Sequence, residues 1–168
     1  MSPQTVAVLD DLLAANVRYA EAFDAGHLPR EPARRLVVIT CMDARINPAA
    51  ALGLRPGDAH VLRNAGGRVS DDVIRSLVVS TGLLGVTTVI VMHHTGCGMA
   101  AISKRDVQAV LSDISEEHWE AFDLLAIEDQ HQALREDVDA VLQSRLLPPL
   151  QVTGLIYDVA TGRVQQML

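Results

Sequence analysis

Leu36-Val37-Val38-Ile39-Thr40-Cys41-Met42-Asp43-Ala44-Arg45 is the stretch on which the reading of this chain turns. Its first five residues are a short, largely β-branched run of the kind that forms a strand buried on both faces. A thiol, a carboxylate and a guanidinium then follow at alternate positions, where the strand must end. A strand of this type needs parallel neighbours and helices above and below it.

Those partners are legible on both sides. Towards the C-terminus, Arg55-Pro56-Gly57-Asp58 reads as a turn into a second strand over residues 59–63, which runs into Asn64-Ala65-Gly66-Gly67. Glycines there permit close backbone approach. Ser70, followed by Asp71 and Asp72, is a helix N-cap, and apolar spacing carries that helix to Gly85. A third strand is predicted over residues 87–92, further helices over 99–114 and 128–146, and a strand over 151–157 after Pro148 and Pro149. Thr161-Gly162 turns the chain into a last short strand. Towards the N-terminus, residues 26–35 with Pro29 and Pro32 read as a loop. Before it, Val8, Leu9, Leu12, Leu13, Val17, Ala20 and Phe23 mark an amphipathic helix over residues 5–23.

The alternation predicts an α/β fold: a single domain over residues 1–168, with a mainly parallel sheet of four to five strands, helices on both faces and an N-terminal helix. The apolar stripe of that helix is wide for an isolated surface helix, so residues 1–25 are expected to serve dimerisation. At 168 residues the chain suits one domain with a sizeable core. Its only aromatics are Tyr19, Phe23, Trp119, Phe122 and Tyr157, so the core must be aliphatic.

A formal net charge of -7 repels phosphate backbones and argues against nucleic acid as a partner. No apolar run approaches the roughly 18 residues of a membrane span, and Asp10 and Asp11 stand where a signal peptide would need basic residues. A cytoplasmic protein without a membrane partner is expected. Between Asp106 and Asp139 eleven acidic residues face one basic residue, Arg135, which reads as a solvated helical surface.

In open α/β sheets ligands bind beyond the carboxyl ends of parallel strands. Cys41 directly follows the first strand, and His94-Thr95-Gly96-Cys97 closely follows the third. If those strands are neighbours, Cys41, His94 and Cys97 converge, and two thiolates with one imidazole suit a tetrahedral zinc ion with its fourth position left for water. Spacing alone leaves the alternative of two inert buried thiols and an ordinary histidine. Asp43 and Arg45 tilt the balance towards chemistry. A carboxylate beside the metal can accept a hydrogen bond from zinc-bound hydroxide, and Arg45 can keep it ionised and in place.

With Cys41-x-Asp43-x-Arg45, His94-x-x-Cys97 and the intervening Arg63-Asn64-Ala65-Gly66-Gly67, the chain resembles the β-class carbonic anhydrases, most closely over residues 36–100. The resemblance implies a zinc enzyme that interconverts carbon dioxide and bicarbonate and works as a homodimer or higher homo-oligomer. It also implies an open choice, since in some members the aspartate matching Asp43 is a fourth zinc ligand and in others water takes that place. The glutamine and aromatic side chains that line the pocket of larger, plant-type members have no clear counterparts, so the chain looks closer to the short members. Relatives of the same architecture hydrolyse carbonyl sulfide or carbon disulfide, which keeps a sulfur gas as an alternative substrate.

Two further readings complete the sequence picture. Gly96-Cys97-Gly98-Met99-Ala100-Ala101 fits a loose dinucleotide-binding pattern, but no acidic residue closes a following strand about twenty residues later. His60 and His93 could relay protons. Strand alternation, however, turns His93 away from the side His94 uses.

Overall fold

In the computed structural model, which describes residues 3–111 and 113–168, Leu36–Cys41 forms β1 and every residue of it is buried. Two parallel neighbours flank it: β2 (Ala59–Asn64) on one side and β3 (Thr88–His94) on the other. β4 (Gln151–Tyr157) pairs parallel with β3, and β5 (Val164–Gln166) closes the edge antiparallel, giving the order β2-β1-β3-β4-β5. The expected mainly parallel sheet is therefore a five-stranded one. β1 accepts partners on both edges because its side chains are apolar on both faces.

Alternate residues serve different layers. Val37, Ile39, Val89 and Val91 pack with Val73 and Leu77 of α3 (Asp71–Gly82) and with Leu134, Val138 and Val141 of α6 (Gln130–Gln143). The opposite layer holds Met92 and Ile90 with Ile46, Met99 and Ile127, and with Leu52 of α2 (Pro48–Leu52). Cys41 and Cys97 lie in this second layer, within reach of the strand ends.

Several boundaries move for local reasons. α2 was not expected, although its signals are all present: Asn47 accepts from the Ala50 N–H, Pro48 opens the helix, and Gly53 ends it with φ 62°. The helix expected over 99–114 reduces to a turn at Gly98–Ala100 and α4 (Lys104–Val110). Ser103 starts α4 afresh, its hydroxyl accepting from the Asp106 N–H while its own N–H donates to the Asp106 carboxylate. Asp129 likewise caps α6 by accepting from the Gln132 N–H, so the expected start at Glu128 moves to Gln130. A short α5 (Glu116–Glu120) precedes it and buries Trp119.

α1 (Pro3–Glu21) is the predicted N-terminal helix, and its described side chains are exposed throughout, with Val8, Leu12, Leu13 and Val17 each more than half exposed. Residues 1 and 2 of the expected dimerisation segment, and residue 112 of the expected 99–114 helix, lie outside the described residues. Among the described residues no helix is long and apolar enough to cross a membrane.

Candidate metal centre

The parallel register brings the carboxyl ends of β1 and β3 side by side, and Thr40 stitches them by donating its hydroxyl to the Met92 carbonyl at 2.8 Å. One residue beyond that stitch, Cys41 ends β1. His94 ends β3, and a turn through Gly96, with φ 61°, brings Cys97 back over it. The Cys41 and Cys97 sulfurs and a ring nitrogen of His94 all lie within 4.8 Å of one another. All three residues are buried, and both thiols are free.

This donor set fits one tetrahedral ion. Ligand bonds of about 2.0–2.3 Å around a tetrahedral ion put donor atoms roughly 3.5–4 Å apart, inside the 4.8 Å within which these three lie. His94 supplies the more specific evidence. Its Nδ1 donates to the Thr95 carbonyl at 3.0 Å, which leaves Nε2 as a lone-pair donor, and that Nε2 is buried with no hydrogen-bond partner. An orphaned buried polar atom costs about 1–3 kcal/mol, and a metal beside the two sulfurs would satisfy it. Burial pushes the His94 imidazole below its ordinary pKa, outweighing the opposite pull of the Thr95 carbonyl and of Asp43. Burial also pushes the Cys97 thiol up, against a lowering by the Met99 backbone hydrogen bond. In the metal-free chain His94 is thus neutral near pH 7 while Cys97 keeps its proton.

Asp43 and Arg45 form a closed pair at the edge of the centre. Arg45 Nε donates to Oδ1 at 2.9 Å, Nη2 to Oδ2 at 2.7 Å, and the Arg45 backbone N–H to Oδ1 at 2.9 Å. These bonds hold the Asp43 carboxyl well below the usual carboxylate range. Asp43 Oδ2 stands 3.8 Å from His94 Nε2, and Arg45 Nη2 also donates to the Gly96 carbonyl at 3.0 Å. The pair therefore bridges the two ligand-bearing turns.

The other sequence candidates go elsewhere. His93 is buried on the opposite face of the sheet, its Nε2 2.9 Å from Asp137 Oδ2, and Arg68 Nε meets the same oxygen at 2.7 Å. His60 Nδ1 lies 3.0 Å from the Ser80 hydroxyl under α3. The Gly96–Ala101 pattern opens only the three-residue turn Gly98–Ala100, and Cys97 and Met99 belong to the buried cluster at the centre. That is not the strand, turn and helix a dinucleotide requires.

Two supporting residues, Arg63 and Gln130, had no predicted role, and a third, Gly67, makes the close backbone approach expected of its motif. Arg63 donates from Nε to the Cys41 carbonyl at 3.0 Å and from Nη2 to the Asp43 carbonyl at 2.7 Å. Gln130 donates its side-chain amide to the His94 carbonyl. Gly67, with φ 69°, presses so closely on β1 that a Cβ there would lie 2.8 Å from the Cys41 nitrogen. Arg63 and Gly67 both stand in the quoted Arg63-Asn64-Ala65-Gly66-Gly67, whereas Gln130 carried no local signal.

The chain's kinship agrees with this geometry. The sequence profile of the carbonic anhydrase family matches residues 36–116. The chain is similar to β-carbonic anhydrase 1 of Mycobacterium tuberculosis, 39% identical over 166 residues that span 96% of this chain and 99% of that one. It is similar in structure to a carbonic anhydrase from Streptococcus mutans, with a TM-score of 0.88 and 42% identity, covering 95% of this chain and 97% of that one. A carbon disulfide hydrolase of Acidianus is 31% identical over 157 residues, 79% of this chain and 77% of that protein. With the motifs, the sheet and near full-length similarity in agreement, the chain belongs to the β-class carbonic anhydrase family of lyases.

Proposed function

We propose that this enzyme reversibly hydrates carbon dioxide to bicarbonate and a proton, with zinc held by Cys41 Sγ, His94 Nε2 and Cys97 Sγ. The observation that carries the reading is the buried, partnerless Nε2 of a His94 ring that lies beside two free thiols. Zinc bound there would lower the pKa of a water towards neutrality and so supply a nucleophile at neutral pH.

The chain's own residues do the rest. Asp43 and Arg45 are the catalytic pair. Both Asp43 oxygens already accept from Arg45, so we take the fourth position of the metal as left to water rather than to Asp43. Held ionised, Asp43 is placed to accept a hydrogen bond from the nucleophile at the mouth of the centre and so to turn that nucleophile's lone pair towards the carbon of the substrate. Arg45 keeps that carboxylate from turning inward. Two thiolates offset the formal charge of the ion, which makes this orientation weigh more than at a three-histidine site.

A second reading, hydrolysis of carbonyl sulfide or carbon disulfide on the same centre, draws support from the similarity to the Acidianus carbon disulfide hydrolase. Initial rates with carbon dioxide, carbonyl sulfide and carbon disulfide, run side by side with Cys41→Ala as control, discriminate the two. Carbon dioxide is expected to be turned over fastest; turnover of a sulfur gas alone would replace the first reading by the second.

We further propose a homodimer or larger homo-oligomer built through α1, because a 19-residue helix with an apolar stripe and no buried described side chain is marginal in water by itself. Free thiols at the centre suit a reducing compartment such as the cytoplasm.

A further inference from the structure

The ligand-bearing turn after β1 is held from outside the motif that contains it. β1 ends at Cys41, one residue past its last pairing with β3 at Thr40 and Met92. Arg63 sits on β2 opposite Thr40, one step back in register, and its side chain runs forward along the sheet to reach this turn. One planar guanidinium donates to two carbonyls, those of Cys41 and Asp43, at 3.0 and 2.7 Å. The Met42 N–H, between them, donates to the Asn64 carbonyl at 2.8 Å. Arg63 forms no ion pair with a carboxylate among the described residues, so its charge is directed at backbone oxygen.

We propose that Arg63 is a positioning residue: by gripping the carbonyls of Cys41 and Asp43 together, it sets the angle between the sulfur that faces the metal and the carboxylate that faces the substrate. The inference rests on the metal-centre reading given above. A guanidinium suits this task because its donors lie in one plane at fixed spacing, whereas a lysine ammonium could serve one carbonyl at a time. Arg45 fixes the Asp43 carboxylate at its tip, and Arg63 fixes the same residue at its root. Loss of the outer grip would leave the ligands in place and let the turn rock.

The test compares wild type with Arg63→Met and Arg63→Lys. Three quantities are measured: metal per chain, kcat/KM per bound zinc with the substrate wild type prefers, and the thiolate-to-cobalt absorption bands of the cobalt-substituted proteins. For Arg63→Met the expected result is a full complement of metal, shifted cobalt bands and a fall in kcat/KM per zinc of about tenfold, as for a small misplacement of a reacting group. Arg63→Lys should recover part of both the activity and the band position. Wild-type bands and wild-type kcat/KM per zinc in a folded Arg63→Met protein overturn the proposal. So does a lowered melting temperature with unchanged activity per zinc, which would make Arg63 a stabilising residue only. Should Arg63→Met fail to fold, the same two readouts on Arg63→Lys decide. Failure of the functional reading is separately visible, because wild type itself would then bind no stoichiometric zinc or turn over no carbon dioxide.

Discussion

Asp43 accepts three hydrogen bonds from Arg45, which gives its carboxylate both a fixed direction and a depressed pKa. The sign is that of any stabilised anion: the charged form persists as pH falls through the ordinary carboxylate range, so the acceptor role survives mild acid. Asp43→Asn keeps the shape and loses the charge. It is expected to lower kcat/KM by about 10–100-fold while zinc content stays at wild-type level by elemental analysis; equal loss of both would contradict an orienting role. The Cys97 thiol is pushed the other way, and this governs metal uptake. Because the thiol is protonated near neutrality in the free chain and the neutral His94 gives up no proton there, zinc must displace at least one proton. Competition with a chelating dye should show apparent affinity rising about tenfold or more per unit between pH 7 and 8. A flat profile would contradict proton release from Cys97. These residues were legible because their spacing is local to two strand ends. Arg63 and Gln130 were not, since their partners are backbone carbonyls 20 or more residues away, and a carbonyl leaves no trace in sequence.

Among the elements, α6 and the β2–α3 connection share a buried charge cluster on the face of the sheet away from the metal centre. Arg68 and Asp137 side chains are 7% and 4% exposed, and Asp137 also accepts from the Val69 N–H. The pair is weak evidence for net stability, but breaking it strands a buried guanidinium. Asp137→Ala should cost about 3–5 kcal/mol in urea unfolding, with little change in activity per folded molecule; a loss below about 1 kcal/mol would show that the site relaxes or takes in water. α1 is the opposite kind of element, with an apolar stripe, Val8, Leu12, Leu13 and Val17, that stays more than half exposed. Leu12→Asp with Val17→Asp should shift the protein to monomer in sedimentation velocity, while an unchanged oligomer would remove α1 from the interface. The stripe was readable from residues 5–23, but the break at Ala101–Ser103 within the expected 99–114 helix was not. Met99 is drawn into the buried cluster at the centre, and the Ser103–Asp106 cap restarts the helix, so tertiary packing overrode a continuous local pattern.

For the whole molecule, the strand order places β1 between β2 and β3, and this arrangement alone lets residues 41, 94 and 97 meet. The centre sits at the rim of one layer, whereas the aliphatic core of Val37, Ile39, Leu77, Val89, Val91 and Leu134 lies in the other. Removing metal should therefore leave the sheet folded. Circular dichroism of chelated protein should keep its far-ultraviolet spectrum while the melting temperature falls by roughly 10 °C relative to protein with free zinc at 1,000 times Kd. Loss of the far-ultraviolet signal would show instead that the metal is needed for the fold.

The sequence by itself determined the α/β alternation and the buried central strand, and it pointed to Cys41, His94 and Cys97 and to the Asp43–Arg45 pair as candidates, because each is written in residue types a few positions apart. Tertiary structure alone decided which strands are neighbours, that His94 Nδ1 is taken by the Thr95 carbonyl while Nε2 is left without a partner, and that Arg63, Gln130 and Gly67 meet the backbone around Cys41, Asp43 and His94. Those depend on contacts between distant segments, made through backbone atoms that every residue shares, and such contacts exist only once the chain has closed on itself.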